Sequence, residues 1–291
     1  MTKDTISLLV AGKCPDPAGT GMLSVPVRSI IIQPRLDGQE DSLIKALDMG
    51  LSFAVVSDYH TRPVLGKRIE KILTSLGKVK AVELPMHPHA DEKTAKKLAE
   101  DTKNVDAIIA VGSGTINDLC KYVSAQQKIP YAVFATAPSM NGYTSANAAI
   151  TVNGLKKSLP AQSARGAFFD LEILSASPKK MIQAGLGDSM CRSTAQADWQ
   201  LSHLFLDTAY RETPFLLLTE DEETLLQNAS ALIRNDIASM DHLVRTLILS
   251  GFGMTLCGGS YPASQGEHLI SHYAEMMSPL DQPQALHGEQ I

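Results

Sequence analysis

The sequence predicts an α/β domain with a parallel sheet, followed by an all-α domain. In the first half of the chain, apolar strand-like runs alternate with helical patterns, which is typical of a parallel sheet covered by helices. After about Ala167, helical patterns follow one another with few β-branched runs between them. We therefore expect an α/β domain at 1–165 and a helical domain at 166–291.

The predicted elements of the first domain are strands and helices in alternation. The strands are Ser29–Gln33, Leu51–Ser57, Val79–Leu84, Asp106–Val111 and Tyr131–Phe134. The helices are Gln39–Asp48, Arg62–Leu76, Asp91–Asp101 and one that begins near Thr115. Because the strands read as continuous apolar runs, we expect helices on both faces of the sheet.

The second domain is predicted to contain only helices. They are Pro178–Ala184, Gly187–Leu204, Glu220–Ser239, Asp241–Gly251 and Gln265–Met277. The last six residues, LHGEQI, carry no helix stop signal. We therefore expect a chain that is truncated at its C-terminus, so that the helical domain is incomplete.

Composition excludes several classes of protein. Hydrophobic residues make up 44% of the 291 residues and charged residues 20%, as in an ordinary globular protein. The net charge of −5 argues against binding nucleic acid through phosphates. Neither a signal peptide nor a membrane span is predicted. The four cysteines form no CxxC pair, so we expect a reduced, cytoplasmic chain without a cysteine-built zinc site.

A glycine turn follows one of the buried strands, in the segment VGSGTIND at 111–118. Glycines between a strand and a helix let the backbone approach a pyrophosphate, whose charge the helix N-terminus stabilises. Many such turns need glycine only for a positive φ angle. By itself, the turn favours the cofactor-binding and the structural interpretation about equally.

Asp58, at the end of the strand before Arg62, favours the cofactor interpretation. A carboxylate at a strand end can accept hydrogen bonds from an adenosine ribose, and it repels a 2′-phosphate. The alternative is that Asp58 caps the helix that starts near Arg62. In the Rossmann fingerprint the acid follows the glycines, whereas here it precedes Gly112, so we predict a different α/β cofactor domain.

The helical half carries a carboxylate and histidines in a suggestive pattern. Asp188 follows Gly185 and Gly187, which predict a helix start, and His268 and His272 share one helical face. One carboxylate with imidazole nitrogens is the ligand chemistry of a catalytic divalent metal. Alternatively, Asp188 caps its helix, His268 is an interior histidine, and His287 is exposed near a chain end.

Six segments in order resemble the glycerol-1-phosphate dehydrogenase branch of the iron-containing alcohol dehydrogenase and dehydroquinate synthase-like superfamily. They span most of residues 50 to 290 and are specific as a set. They are VGSGTINDLCK (111–121), FATAPSMNGYTSANAAIT (134–151), NGLKKSLPAQSARG (153–166), GLGDSMCRSTAQADWQL (185–201), SYPASQGEHLISH (260–272) and HGEQ (287–290).

The resemblance implies a dehydroquinate synthase-like fold and a role for individual residues. It implies cofactor contacts at Asp58, Gly112, Ser113, Gly114, Thr115, Ile116, Thr136, Ala137, Pro138, Ser139 and Ser145. It implies the metal ligands Asp188, His268 and His287. It also implies catalytic and substrate contacts from Asn141, Asp188 and His272, so that only the first histidine of the His268–His272 pair is a ligand.

The activity that the resemblance implies is NAD(P)-linked interconversion of dihydroxyacetone phosphate and sn-glycerol 1-phosphate. Its expected metal is Zn²⁺, with Ni²⁺ and Fe²⁺ as alternatives, and Asp58 favours NAD over NADP. A homodimer and a role in phospholipid biosynthesis are also implied.

One departure from the family leaves the substrate open. Many relatives carry Asp at the position of Asn141, and Asn keeps the hydrogen-bonding shape without the charge. This leaves as alternatives a dehydrogenase of another small polyol or polyol phosphate and a nucleotide-binding relative without turnover. A dehydroquinate synthase-like lyase is a separate alternative.

Overall fold

The computed structural model of the protein describes residues 4–277 and 287–290. The chain forms two compact units that interleave along the sequence. The sheet unit consists of Pro26–Ala137 and Asn147–Ser177, and the helical unit consists of Met1–Val25, Pro138–Ala146 and Pro178–Ile291. The boundary near residue 165 stays a prediction.

The strands and helices are numbered in chain order. The strands are β1 (Cys14–Pro15), β2 (Met22–Leu23), β3 (Ser29–Gln33), β4 (Ser52–Asp58), β5 (Lys78–Leu84), β6 (Ala107–Gly112), β7 (Tyr131–Ala135), β8 (Asn147–Val152), β9 (Leu155–Pro160) and β10 (Gly166–Asp170). The helices are α1 (Thr5–Val10), α2 (Glu40–Ala46), α3 (Lys67–Leu73), α4 (Glu92–Asp101), α5 (Gly114–Gln127), α6 (Leu171–Ser175), α7 (Lys179–Met190), α8 (Arg192–Leu206), α9 (Thr213–Leu216), α10 (Thr219–Leu232), α11 (Ile237–Cys257), α12 (Gly266–Met277) and α13 (His287–Gln290).

The sheet unit is built on six parallel strands in the order β3-β10-β7-β6-β4-β5. From β4 the chain moves outward to β5 and then returns to place β6 on the other side of β4. The strand order therefore reverses between β4 and β6, which is the topological switch point where open α/β sheets bind ligands. Side chains of the sheet, such as Phe53, Ile109 and Phe134, are buried in one hydrophobic core with those of α2 and α3.

The predicted α/β class is confirmed, and each predicted strand lies within one residue of its observed bounds. The predicted helix Arg62–Leu76 consists of a π-helical turn, Arg62–Gly66, followed by α3. Two features of the sheet unit were not predicted. One is β10, which pairs with both β3 and β7. The other is the antiparallel β8–β9 hairpin.

The hairpin had a signal in the sequence, since Asn153 and Gly154 are the residue pair that two-residue hairpin turns prefer. Both residues have positive φ angles, 53° and 78°. The turn thus uses the conformational freedom of glycine at a position where another residue would be strained.

The predicted helix start at Asp188 is wrong. Helix α7 runs without interruption through Gly185 and Gly187, and Asp188 lies in its last turn. A Cβ atom at Gly185 would overlap the carbonyl oxygen of Pro138, so this glycine permits a close backbone approach inside the helical unit. Asp188 consequently does not cap the N-terminus of its helix.

The predicted break near Asp241 is also misplaced, because α10 ends at Leu232 and α11 begins at Ile237. Asp236 accepts a hydrogen bond from Ser239 N at 2.7 Å and caps α11. Helix α11 is the longest described helix and is buried along much of its length. Among the residues that the structure describes, no helix has the length and apolarity that crossing a membrane requires.

We expect Gly154→Ala to destabilise the protein by about 1 kcal/mol, because alanine is strained at a positive φ angle. Gly21→Ala is the matched control, since Gly21 has no positive φ angle and no atom within 4 Å of an added Cβ. Urea unfolding of both variants measures the difference. Equal midpoints would show that the hairpin turn tolerates a side chain.

Candidate functional site

Three predicted cofactor residues lie at the carboxyl ends of neighbouring strands in the sheet unit. Asp58 ends β4, Gly112 ends β6, and Thr136 follows β7. Val56 of β4 is in register with Ala110 of β6, an offset of 54 residues (110 − 56), and the same offset relates Asp58 to Gly112 (112 − 58). The backbone N–H of Thr136 donates to Gly112 O at 3.2 Å. The three residues therefore meet at one edge of the sheet, beside its switch point.

The glycine turn leads directly into the 14-residue helix α5. A Cβ atom at Gly112 would overlap the side chain of Ile116 in the first helical turn. At the N-terminus of α5, the first intrahelical hydrogen bond runs from Asn117 N–H to Ser113 O. The N–H groups of Gly114, Thr115 and Ile116 therefore have no partner within the helix. No acidic residue lies in the first turn. This helix end has the donors and the dipole direction of an anion-binding site.

Asp58 makes the contacts of a capping residue. Its Oδ1 accepts hydrogen bonds from His60 N at 2.9 Å and Thr61 N at 2.8 Å, and its own N–H donates to Thr61 Oγ1. Its Oδ2 accepts no hydrogen bond from the described residues. Asp58 Oδ1 therefore acts as a cap, as the alternative interpretation predicts. Asp58 Oδ2 can still accept a hydrogen bond from a ligand.

A buried ion pair fixes α5 to strand β8 within the sheet unit. Lys121 is fully buried, and its Nζ lies 3.5 Å from Asp118 Oδ1 and donates to Asn147 O at 2.9 Å. Asp118 Oδ2 accepts from Ala149 N at 3.1 Å. Burial lowers the pKa of Lys121, and the charge of Asp118 opposes that shift. The pair holds the helix whose N-terminus forms the glycine turn.

The remaining predicted cofactor residues fall in two units. Thr136 and Ala137 close the first segment of the sheet unit, whereas Pro138, Ser139 and Ser145 lie in a loop of the helical unit. In that loop, Pro138 is packed against Gly185 of α7, and Ser145 Oγ donates to Gly142 O at 3.2 Å.

Asp188 is the centre of a buried polar cluster in the helical unit. Its carboxylate is only 3% exposed and accepts a hydrogen bond from Asn141 N at 2.7 Å. The last turn of a helix carries the negative end of the helix dipole, which disfavours a carboxylate there. A buried negative charge in this position requires a positive partner.

His268 of α12 lies beside this carboxylate. Its Nε2 is 3.6 Å from Asp188 Oδ1, and its Nδ1 is 2.6 Å from Glu267 Oε1. Burial lowers the pKa of His268, but hydrogen bonds to Asp188, Cys191 and Glu267 outweigh it and raise the pKa to about 11. Without a metal, the imidazole thus holds a proton as the cation between two carboxylates.

The other two predicted histidines differ in what the structure describes. His272 lies one turn after His268, with ring centroids 6.2 Å apart, and its Nδ1 is 4.0 Å from Glu275 Oε2. The side chain of His287 lies outside the described residues. Its helix, α13, packs tightly on α7, since a Cβ atom at Gly288 would overlap Ala184 O and one at Gly187 would overlap Gly288 O.

Two members of the cluster, Cys191 and Glu267, were not predicted from the sequence. Cys191 offers its Sγ within 4.8 Å of the ligand atoms of Asp188 and His268, and Glu267 is the hydrogen-bond partner of the histidine. The spacing of Asp188 and Cys191, three residues apart at a helix end, could have identified the first. Glu267 directly precedes His268 in sequence, but only the folded structure shows that Glu267 Oε1 contacts His268 Nδ1.

The residues of the cluster fit a divalent cation. A carboxylate oxygen and an imidazole nitrogen at 3.6 Å match ligands about 2.1 Å from one tetrahedral ion, whose edges are about 3.4 Å. A carboxylate on the second ring nitrogen, as Glu267 provides, is the usual orienting partner of a metal-binding histidine. A cation would also replace the proton that His268 holds in its absence.

An open parallel sheet with a glycine turn at its switch point, followed by helices that present a carboxylate and an imidazole, defines a class of α/β oxidoreductases with a helical metal-binding part. The family model described as iron-containing alcohol dehydrogenase matches residues 31–178. The chain belongs to this family, in its glycerol-1-phosphate dehydrogenase branch.

Curated relatives and a solved structure support the assignment. The chain is 35% identical to the glycerol-1-phosphate dehydrogenase [NAD(P)+] of Geobacillus thermodenitrificans over 69% of this chain, and it spans 50% of that protein. It is 32% identical to the same enzyme of Pyrococcus horikoshii, over 90% of this chain and 75% of that one. Glycerol dehydrogenase from Schizosaccharomyces pombe shares the fold, with a TM-score of 0.72 at 18% identity over 90% of this chain and 68% of that chain.

We expect Glu267→Gln to weaken divalent-metal binding by about 10- to 100-fold, because glutamine keeps an acceptor for His268 Nδ1 but loses the charge. Titration against a chelating dye measures the affinity. Glu223→Gln, on the exposed surface of α10, is the control and should bind metal as the parent protein does. Equal affinities for both variants would show that Glu267 does not support the metal.

Proposed function

We propose that the protein is an NAD(P)-dependent, metal-dependent dehydrogenase that interconverts dihydroxyacetone phosphate and sn-glycerol 1-phosphate. The observation that supports this most directly is the Asp188–His268 pair, a buried carboxylate and imidazole in ligand geometry. The relatives named above carry this activity in their names. Since the chain spans about half the length of the G. thermodenitrificans enzyme, the activity of the whole protein is part of the proposal.

In this proposal the sheet unit binds the dinucleotide. The N–H groups of Gly114, Thr115 and Ile116 bind the pyrophosphate, and Asp58 Oδ2 accepts from the adenosine ribose. Ser113, Thr136 and Ala137 are the other proposed cofactor contacts of this unit, and the contacts from Pro138, Ser139 and Ser145 of the helical unit stay predictions. The nicotinamide, when bound, supplies or receives the hydride.

The helical unit binds the metal through Asp188, His268 and His287. A bound divalent cation polarises the carbonyl or hydroxyl oxygen of the substrate and so stabilises developing negative charge. We propose Zn²⁺, because nitrogen and oxygen ligands of this kind suit it, with Ni²⁺ and Fe²⁺ as alternatives. Glu267 keeps the Nδ1 proton on His268 so that Nε2 is free for the metal.

Asn141 is proposed to contact the substrate. It is buried, its N–H is held by Asp188, and its Nδ2 has no partner among the described residues. An unpaired buried donor favours a ligand that presents an acceptor, and a phosphate or ketone oxygen satisfies it. An aspartate at this position would instead accept from a hydroxyl group.

His272 is proposed to bind substrate and to move the proton. Its side chain is 24% exposed, so it can exchange a proton with solvent while lying one turn from His268. Histidine is suited to this because an imidazole has one nitrogen that can donate a proton and one that can accept it. The homodimer and the role in phospholipid biosynthesis stay predictions.

The alternatives differ in substrate or in turnover. Another small polyol or its phosphate remains compatible with Asn141. A dehydroquinate synthase-like lyase is less favoured, because its carboxylated substrate calls for a basic cluster that residues 260–290 lack in sequence. A nucleotide-binding relative without turnover would bind NADH but would not oxidise it with any ketone substrate.

We expect metal-loaded protein to oxidise NADH when dihydroxyacetone phosphate is added, as measured by nicotinamide absorbance. Asp188→Asn and His268→Ala should each lower kcat/KM by at least about 100-fold, because the charge stabilisation at the substrate oxygen is lost. Asp207→Asn, at the exposed end of α8, is the control. Activity that survives both ligand substitutions, or that chelation leaves intact, would contradict the metal role.

We expect the protein to bind NADH more tightly than NADPH, and Asp58→Asn to reduce that preference by about tenfold. Asparagine keeps the Oδ1 that accepts from His60 N and Thr61 N, so the variant separates charge from capping. Dissociation constants from cofactor fluorescence give the ratio, with Asp101→Asn as the control. An unchanged ratio would show that Asp58 acts only as a cap.

A further inference from the structure

Cys191 lies where α7 ends and α8 begins, three residues after Asp188. It is buried, and its Sγ donates to Asp188 O at 3.2 Å. Its sulfur, the Asp188 carboxylate oxygen and a ring nitrogen of His268 all lie within 4.8 Å of one another. The thiol therefore faces the same small space as the two side chains proposed above as metal ligands.

The spacing suits coordination by sulfur. For a tetrahedral zinc ion, a sulfur about 2.3 Å and a nitrogen or oxygen about 2.1 Å from the metal lie about 3.6 Å apart. The three atoms here lie within 4.8 Å without an ion, so a movement of the Cys191 side chain by about 1 Å would complete the set. The hydrogen bonds that Sγ would give up, to Asp188 O at 3.2 Å and to Ala263 O at 3.9 Å, are weak ones, because a thiol is a poor donor.

We propose that Cys191 is a sulfur ligand of the metal, in addition to Asp188 and His268. The inference rests on the proposed metal-dependent function. On binding, the S–H bond of Cys191 breaks, its electron pair forms the bond from sulfur to the divalent ion, and the proton leaves to solvent. His268 likewise releases its Nε2 proton, so the site exchanges protons for the ion with no change of oxidation state.

A sulfur ligand has a consequence for metal choice. Oxygen ligands suit Mg²⁺, Ca²⁺ and Mn²⁺, whereas a thiolate favours softer ions such as Zn²⁺. A thiolate together with Asp188, His268 and the proposed ligand His287 would fill a tetrahedral site.

X-ray absorption at the zinc edge of the loaded full chain tests the proposal without reference to activity. We expect one sulfur at about 2.3 Å in the parent protein and in Cys257→Ser, and none in Cys191→Ser. Cys257 is a suitable control because it is a partly buried free thiol at the end of α11. Competition with a chelator should show at least tenfold weaker zinc binding by Cys191→Ser, and a smaller loss for Mn²⁺.

The outcomes separate this proposal from the function on which it rests. A zinc shell with only nitrogen and oxygen in the parent protein, with imidazole scattering present, would overturn the cysteine ligand and leave the metal site standing. Failure of the parent protein to bind zinc would overturn both. If Cys191→Ser unfolds, Cys191→Ala and the sulfur count of the parent protein decide the question.

Discussion

The helical unit depends on a negative charge that the fold buries in an unfavourable place. Asp188 lies in the last turn of α7, nearly free of solvent, where the helix dipole adds to the cost of its charge. Three neighbours offset this cost. The N–H of Asn141 donates to the carboxylate, the protonated imidazole of His268 lies 3.6 Å away, and Glu267 orients that imidazole. Asn141 belongs to the loop at 138–146, whereas Glu267 and His268 belong to α12, so the carboxylate of α7 lies where three segments of the helical unit meet.

Glycine makes that meeting possible. At Gly185 the loop carbonyl of Pro138 packs on the helix backbone, and at Gly187 and Gly288 the helices α7 and α13 approach each other at the same close range. At Gly251 an added Cβ would overlap Thr144 Oγ1. In the segment Gly185–Asp188, the two glycines therefore allow neighbouring backbone to pack against α7 and do not mark a helix end. Asp188, the last residue of the segment, provides the buried carboxylate.

The sheet was largely predictable from sequence, and much of the helical unit was not. Strands such as β4 and β6 are buried on both faces, so their apolar runs end where the strands end. In α7, Gly185 and Gly187 carry the local signal of a break, but the helix continues through both and neighbouring backbone packs against them. The start of α11 does have a local signal, the Asp236 cap, which the predicted break near Asp241 overlooked. Local sequence cannot distinguish a glycine that ends a helix from one that admits a neighbour.

The residues of the candidate site also differ in whether they could be predicted from the sequence. Asp188 and His268 were identified by resemblance, and their closeness at 3.6 Å is a property of the fold. Cys191 was missed although its three-residue spacing from Asp188 is a signal in the sequence, and Glu267 was missed because a glutamate beside a histidine is not unusual. Only the arrangement of α7 against α12 makes the thiol and the second carboxylate part of one cluster.

The register between β4 and β6 also explains the inverted order of acid and glycines. Asp58 and Gly112 are neighbours because one strand offset aligns them, and the 53 residues between them (112 − 58 − 1) only determine how the chain travels from one strand to the next. Loops and helices in that interval can therefore lengthen or shorten through evolution without moving the pair. A search for such pockets by fixed spacing along a sequence will overlook them, whereas a search by adjacency of strand ends will not.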